Sequence, residues 1–145
     1  MYTYWHIQIY VLSYLCIIMQ ISLFVREQIM KAVLIDDNAV CLETEAIIIQ
    51  DIDEIDELHS FQYTADLLDY MSTTPVDIAF LDIIMDDSDG ISRAMEIKRM
   101  QPDCKIVFIS SSRDFALEAF QVYASGYLLK PVTKDEIINV LNNII

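Results

Sequence analysis

The chain has 145 residues, a formal charge of −14 and a 54% hydrophobic fraction, enough for one domain with a well-buried core. Arg26 and Glu27 are the only charged side chains before Lys31, so the whole net charge falls on residues 31–145; such a surface repels nucleic-acid phosphates, and no Lys/Arg cluster offsets it. Cys16, Cys41 and Cys104 are odd in number and lack metal spacing, and His6 and His59 stand far apart, which argues for reduced thiols in a cytosolic domain and against a zinc site.

In chain order, the first feature is an uncharged run from Ile7 to Val25, flanked by Tyr2, Tyr4, Trp5 and Tyr10 on one side and by Arg26 and Lys31 on the other. It reaches the minimum length for a membrane helix, with interfacial aromatics and an orientation that leaves the following domain cytoplasmic. A second reading stands beside it. Met30 followed by Lys-Ala-Val-Leu-Ile-Asp-Asp looks like the natural start of a soluble protein, which makes residues 1–29 an upstream stretch. Two units are therefore expected: an apolar segment over 1–29, and a folded domain over 30–145. The domain is placed in the cytoplasm, or at the inner membrane if residues 7–25 are an anchor.

Lys31–Ile35 reads as a strand, Ala39–Gln50 as a helix, Leu58–Phe61 as a weak strand and Thr64–Met71 as a short helix. The acidic residues Asp51, Asp53, Glu54, Asp56 and Glu57 read as a solvated loop; they lack the glycine turn and closing glutamate of a calcium loop. Val76–Leu81 reads as the third strand, Gly90–Met100 as a helix ended by Pro102, and Lys105–Ile109 as the fourth strand. Arg113–Tyr123 is expected to be helical, Tyr127–Leu129 to be a fifth strand, and Thr133 to cap a last helix. Strand–helix alternation of this kind implies an α/β fold, a doubly wound five-stranded parallel sheet with helices on both faces.

The apolar strands stop at chemistry-bearing residues: Asp36 and Asp37 after the first, Asp82 after the third, Ser110 after the fourth and Lys130 after the fifth. In an open parallel sheet the ligand site lies outside the carboxyl ends of the strands, so these five side chains should converge. Adjacent aspartates raise each other's pKa unless a cation compensates. Three carboxylates, a hydroxyl and an ammonium describe a place for a divalent cation, with Mg²⁺ the fitting ion, and a phosphoryl group.

Residues 30–145 resemble the receiver domain of bacterial two-component response regulators. The likeness rests on the acidic pair, the Asp82 block with Gly90 eight residues on, the hydroxyl Ser110, and Tyr-x-x-Lys-Pro from Tyr127 to Pro131. The stretch SSSRDFALEAFQVYASGYLLKP looks most like receivers of LytTR-type regulators. The resemblance implies that Asp82 takes a phosphoryl group from a sensor histidine kinase. It also implies that Asp37, Asp82 and the Ile84 backbone carbonyl bind Mg²⁺ directly, with Asp36 acting largely through water. Lys130 would pair with Asp82 and then with the phosphoryl group, Ser110 would hydrogen-bond that group, and Tyr127 would turn inward. The face formed by the fourth helix, fifth strand and fifth helix would then change its partners, with a homodimer as one outcome. The domain would catalyse only its own phosphorylation and dephosphorylation.

The chain departs from the family at Asp86, where proline is usual, followed by Asp87. Two extra carboxylates near the site are expected to alter kinetics. Ser111 replaces a common alanine, and Ser112 cannot supply an acid or amide to orient hydrolytic water. No effector segment follows Ile145, as in a stand-alone receiver or a fragment of a longer regulator. A haloacid-dehalogenase-like phosphatase is the enzyme alternative, but it needs a second acid two residues after its nucleophile, and Ile84 stands there. A pseudo-receiver that only binds partners is the third reading; the complete set Asp36, Asp37, Asp82, Ser110 and Lys130 argues against it.

Overall fold

The computed structural model describes residues 10–20, 29–86 and 89–144. The domain runs β1 (Lys31–Ile35), α1 (Ala39–Gln50), β2 (Glu57–Phe61), α2 (Thr64–Thr73), β3 (Ile78–Asp82), α3 (Gly90–Met100), β4 (Lys105–Ser110), α4 (Ala116–Gln121), β5 (Gly126–Leu129) and α5 (Lys134–Ile144). All strand pairs are parallel, in the order β2-β1-β3-β4-β5. This is the doubly wound fold that strand–helix alternation implies.

Each strand sends alternate side chains to opposite faces, and both faces are covered. Val33, Ile35, Leu81 and Phe108 pack with Leu67 of α2, Ile97 of α3 and Ala119 of α4. Ala32, Leu34, Phe80 and Ile109 pack with Ile49 of α1 and with Ile137 and Leu141 of α5. Every residue of the central strand β3 is buried, which is why its sequence shows no polar alternation.

Local chemistry fixes the element ends. Asn38 caps α1 by accepting the N–H groups of Val40 and Cys41 at 3.0 and 3.1 Å, and Asp89 caps α3 through Ile91 and Ser92. Thr133 and Glu136 form a reciprocal box at the start of α5, with contacts of 2.9 and 3.3 Å. The acidic run after α1 is divided among several tasks. Asp51 pairs with Lys134 at 2.7 Å, Asp56 accepts the Met30 N–H at 2.7 Å, and Glu57 opens β2 beside His59.

Several elements differ from their expected bounds by one to three residues, and for β3 and α4 the cause is visible. β3 begins at Ile78 because the Val76 N–H is spent on the Gln101 side chain (2.8 Å) instead of a strand neighbour. α4 is shorter than the expected Arg113–Tyr123. A Ser112–Asp114 turn occupies its front, with the Asp114 N–H donating to Ser112 Oγ at 3.1 Å. Tyr123 at φ 56° closes its end.

Residues 10–20 are helical and exposed. The remainder of the expected Ile7–Val25 span lies outside the described residues, as do Asp87 and Ile145. Among the described residues no helix is long and apolar enough to cross a membrane.

Candidate functional site

The winding of the sheet changes direction between β1 and β3, and this opens a crevice at their carboxyl ends. Ile35 lies level with Leu81 in the ladder, so the next residues, Asp36 and Asp82, meet across it. Asp37 completes a group of three carboxylates, each offering an oxygen within 4.8 Å of the others. Ser110 ends β4 beside Leu129, and its carbonyl accepts the Lys130 N–H at 2.9 Å. That bond brings the Lys130 side chain back over the crevice, where its ammonium pairs with Asp36, with Asp82 at 3.2 Å and with Glu45 at 3.5 Å.

The acids are not equivalent. Asp36 is fully buried; one oxygen accepts the Asn38 N–H at 2.8 Å and the other faces Lys130. Asp37 is half-buried and accepts the Asp86 N–H at 2.8 Å. Asp82 is buried, with its Oδ1 accepting the Ile84 N–H at 3.3 Å. Burial raises the Asp82 pKa and the Asp36 charge adds to this, while Lys130 opposes both. Burial also works against the Lys130 charge, yet the hydrogen bond with Asp36 and the Glu45 and Asp82 charges outweigh it, and the ammonium is held well above the ordinary lysine range.

Ser110 Oγ is buried and accepts the Ser112 N–H at 3.2 Å. Tyr127 is half-buried, its ring 6.4 Å from that of Phe108 and its hydroxyl donating to the Ser112 carbonyl at 2.6 Å. Gly90 is required by a close approach. A Cβ there would lie 2.5 Å from Ile83 Cα and 2.8 Å from the Asp82 carbonyl oxygen, both backbone atoms. Without a side chain, α3 can start directly against the strand end that carries Asp82.

Two buried charged residues near the site escaped the sequence reading. Glu45, on the inward face of α1, is 5% exposed. Burial, with Asp36 adding to it, pushes its carboxyl up to about 7 against the pull of Lys130. Arg93, 1% exposed, is the largest fully buried side chain described; it donates to the Asp82 carbonyl at 2.8 Å and to Thr64 Oγ1 at 2.9 Å. Helical spacing carried the signal for both. Glu45 lies between Leu42 and Ile49, and Arg93 between Gly90 and Ile97, on stripes that are otherwise apolar or tightly packed.

The sequence profile of the response regulator receiver domain matches residues 32–142. The chain belongs to that family. It is 30% identical over 115 residues to the sensory transduction protein LytR of Staphylococcus epidermidis and to protein MrkE of Klebsiella pneumoniae, covering 79% of this chain in both comparisons. The matches cover 46% and 43% of those proteins, so the receiver chain spans less than half the length of these relatives. The crystal structure of the MrkE response regulatory domain superposes with a TM-score of 0.71, covering 79% of this chain and 94% of that one. A Clostridium thermocellum receiver domain, 25% identical, superposes at 0.69 over 79% of this chain and 94% of its own. These relatives support the expected closeness to receivers of LytTR-type regulators.

Proposed function

We propose that this receiver takes a phosphoryl group from the phosphohistidine of a sensor histidine kinase onto Asp82. Its own chemistry is limited to that transfer and to hydrolysis of the resulting acyl phosphate, which restores the Asp82 carboxylate and releases inorganic phosphate. The observation that carries the reading is the cluster of three carboxylates within 4.8 Å of one another, closed by Lys130 at 3.2 Å from Asp82. An Asp82 carboxylate oxygen attacks phosphorus, an acyl phosphate bond forms, and the P–N bond of the donor breaks with its electron pair leaving on the imidazole nitrogen. Lys130 then shifts from the Asp82 oxygen to the new phosphoryl oxygens, and Ser110 donates its hydroxyl to the same group.

The donor set fits Mg²⁺: hard oxygens, a net negative charge, and one member still partly open to solvent. Asp37, Asp82 and the Ile84 carbonyl would hold the ion directly. Asp36, with both oxygens already facing protein donors, would act through water. When bound, the ion supplies charge neutralisation for the transferring group.

Output runs through the face of α4, β5 and α5. Leu117, Phe120 and Tyr123 are all strongly exposed there, as a surface that acquires a partner requires, and a second copy of this domain fits that description. Tyr127 is the lever, because its hydroxyl already reports on the Ser112 backbone one residue beyond the β4–α4 corner. Residues 30–145 act as the receiver unit, in the cytoplasm where phosphodonors are made, and residues 1–29 are separate from it. Membrane attachment enters only if residues 7–25 form an anchor.

The test is incubation with acetyl phosphate and Mg²⁺, followed on a phosphate-retarding gel. Wild type should shift and Asp82→Asn should not. No shift with acetyl phosphate or with a cognate kinase would remove the phosphoacceptor role and favour the interaction-only reading.

A further inference from the structure

Glu45 has no part in the proposed reaction, yet it is buried beside the Lys130 ammonium on which that reaction depends. Burying a carboxylate with an unpaired oxygen is costly, and among the described residues Glu45 Oε2 has no hydrogen-bond partner. Its other oxygen lies 3.5 Å from the Lys130 ammonium. An ammonium has three N–H donors. Asp36 and Asp82 accept two, which leaves the third for Glu45. The two side chains meet at the wall of a cleft of about 290 Å³ that Cys41, Pro131 and Val132 also line. This apolar setting strengthens any charge–charge contact at its edge.

We propose that Glu45 is a positioning residue of the site, a third resting acceptor for the Lys130 ammonium that competes with the group carried on Asp82. This rests on the phosphoacceptor reading. Before transfer, Glu45 shares the ammonium with Asp36 and Asp82 and holds it on the α1 side of the crevice. After transfer, the phosphoryl oxygens must draw the same ion away from Glu45, so the carboxylate weakens the hold on the phosphoryl group. An acid at this place therefore favours a receiver that gives up its phosphorylated conformation readily.

Beryllofluoride, a tetrahedral stand-in for the phosphoryl group, separates the possibilities when its affinity is measured with Mg²⁺ at pH 8. Glu45→Gln removes the charge and keeps the shape, and Glu45→Leu removes the acceptor altogether. Glu43→Gln, an exposed change on the same helix, makes the same change in net charge. Both Glu45 variants should bind beryllofluoride about three- to tenfold more tightly than wild type, with Glu43→Gln within about twofold of it. The ¹⁵N signal of the Lys130 ammonium in the unliganded protein should move in the Glu45 variants and stay in place in Glu43→Gln. If Glu45→Gln binds beryllofluoride like Glu43→Gln, the proposal is overturned. Failure of every variant and of wild type to bind beryllofluoride would count against the phosphoacceptor reading itself. The Lys130 signal would then decide the Glu45 contact alone, a shift supporting it and no shift overturning it.

Discussion

Asp86 donates its backbone N–H to Asp37 at 2.8 Å, a bond that a proline at this place could not make. The departure from the family pattern thus gives Asp37 an anchor as well as placing another negative charge nearby. The two effects separate in Asp86→Asn, which keeps the N–H and removes the charge. Mg²⁺ affinity measured by NMR titration should fall about two- to threefold in that variant, and the difference should shrink in high salt. Glu45 has a consequence for stability against pH. Its carboxyl titrates near 4.5 in the unfolded chain and at about 7 in the folded one. Between those values the folded protein holds a proton that the unfolded chain has lost, so stability falls as pH rises toward 7 and levels off beyond it. The loss amounts to at most about 3 kcal/mol for this group. Asp82, also raised by burial, contributes in the same direction. Urea midpoints taken without Mg²⁺ should therefore decline from pH 5 to 7.5 in wild type, and the decline should be shallower in Glu45→Gln. An equal slope in both proteins would contradict the assignment. Cys104, buried and pushed up to about 12, should resist alkylation at pH 8 while the domain is folded.

Among the elements, the junction of β3 and α3 bears most directly on the site. A methyl group at position 90 would lie 2.5 Å from Ile83 Cα, and neither backbone can yield without moving Asp82. Gly90→Ala should therefore lower stability by roughly 1–3 kcal/mol and slow labelling of Asp82. Unfolding curves with an unchanged denaturant slope would show that stability, not compactness, had changed. The convergence of Asp36, Asp37, Asp82 and Lys130 was legible because apolar runs that halt at polar residues leave one arrangement in a parallel sheet. The Thr133 cap was legible for the same kind of local reason. β3 and α4 were misjudged at their ends because side-chain bonds decided them: Gln101 takes the Val76 N–H, and Ser112 with Asp114 forms a turn ahead of the helix. Propensity cannot see a partner 25 residues away. Glu45 and Arg93 were missed for a related reason. A charged residue on a helix reads as solvent-facing until the tertiary structure closes over it.

For the molecule as a whole, the negative charge and the exposed Leu117, Phe120 and Tyr123 mark out different roles. On the proposed function, the charge would keep unmodified copies apart, and the apolar face would offer a surface for association once the site is occupied. Sedimentation should show wild type shifting toward dimer with Mg²⁺ and beryllofluoride, and Leu117→Ser with Phe120→Ser should abolish the shift without changing beryllofluoride affinity more than about twofold. The proposed function depends on a single chemical event at one carboxylate. Peptide mapping by mass spectrometry, after labelling with acetyl phosphate and Mg²⁺ and trapping of the acyl phosphate by borohydride reduction, tests that event most directly. The account predicts modification at Asp82 in wild type and none in Asp82→Asn. Modification at Asp37 or Asp86 in place of Asp82, or an unmodified wild-type protein with a cognate kinase also supplied, would contradict it.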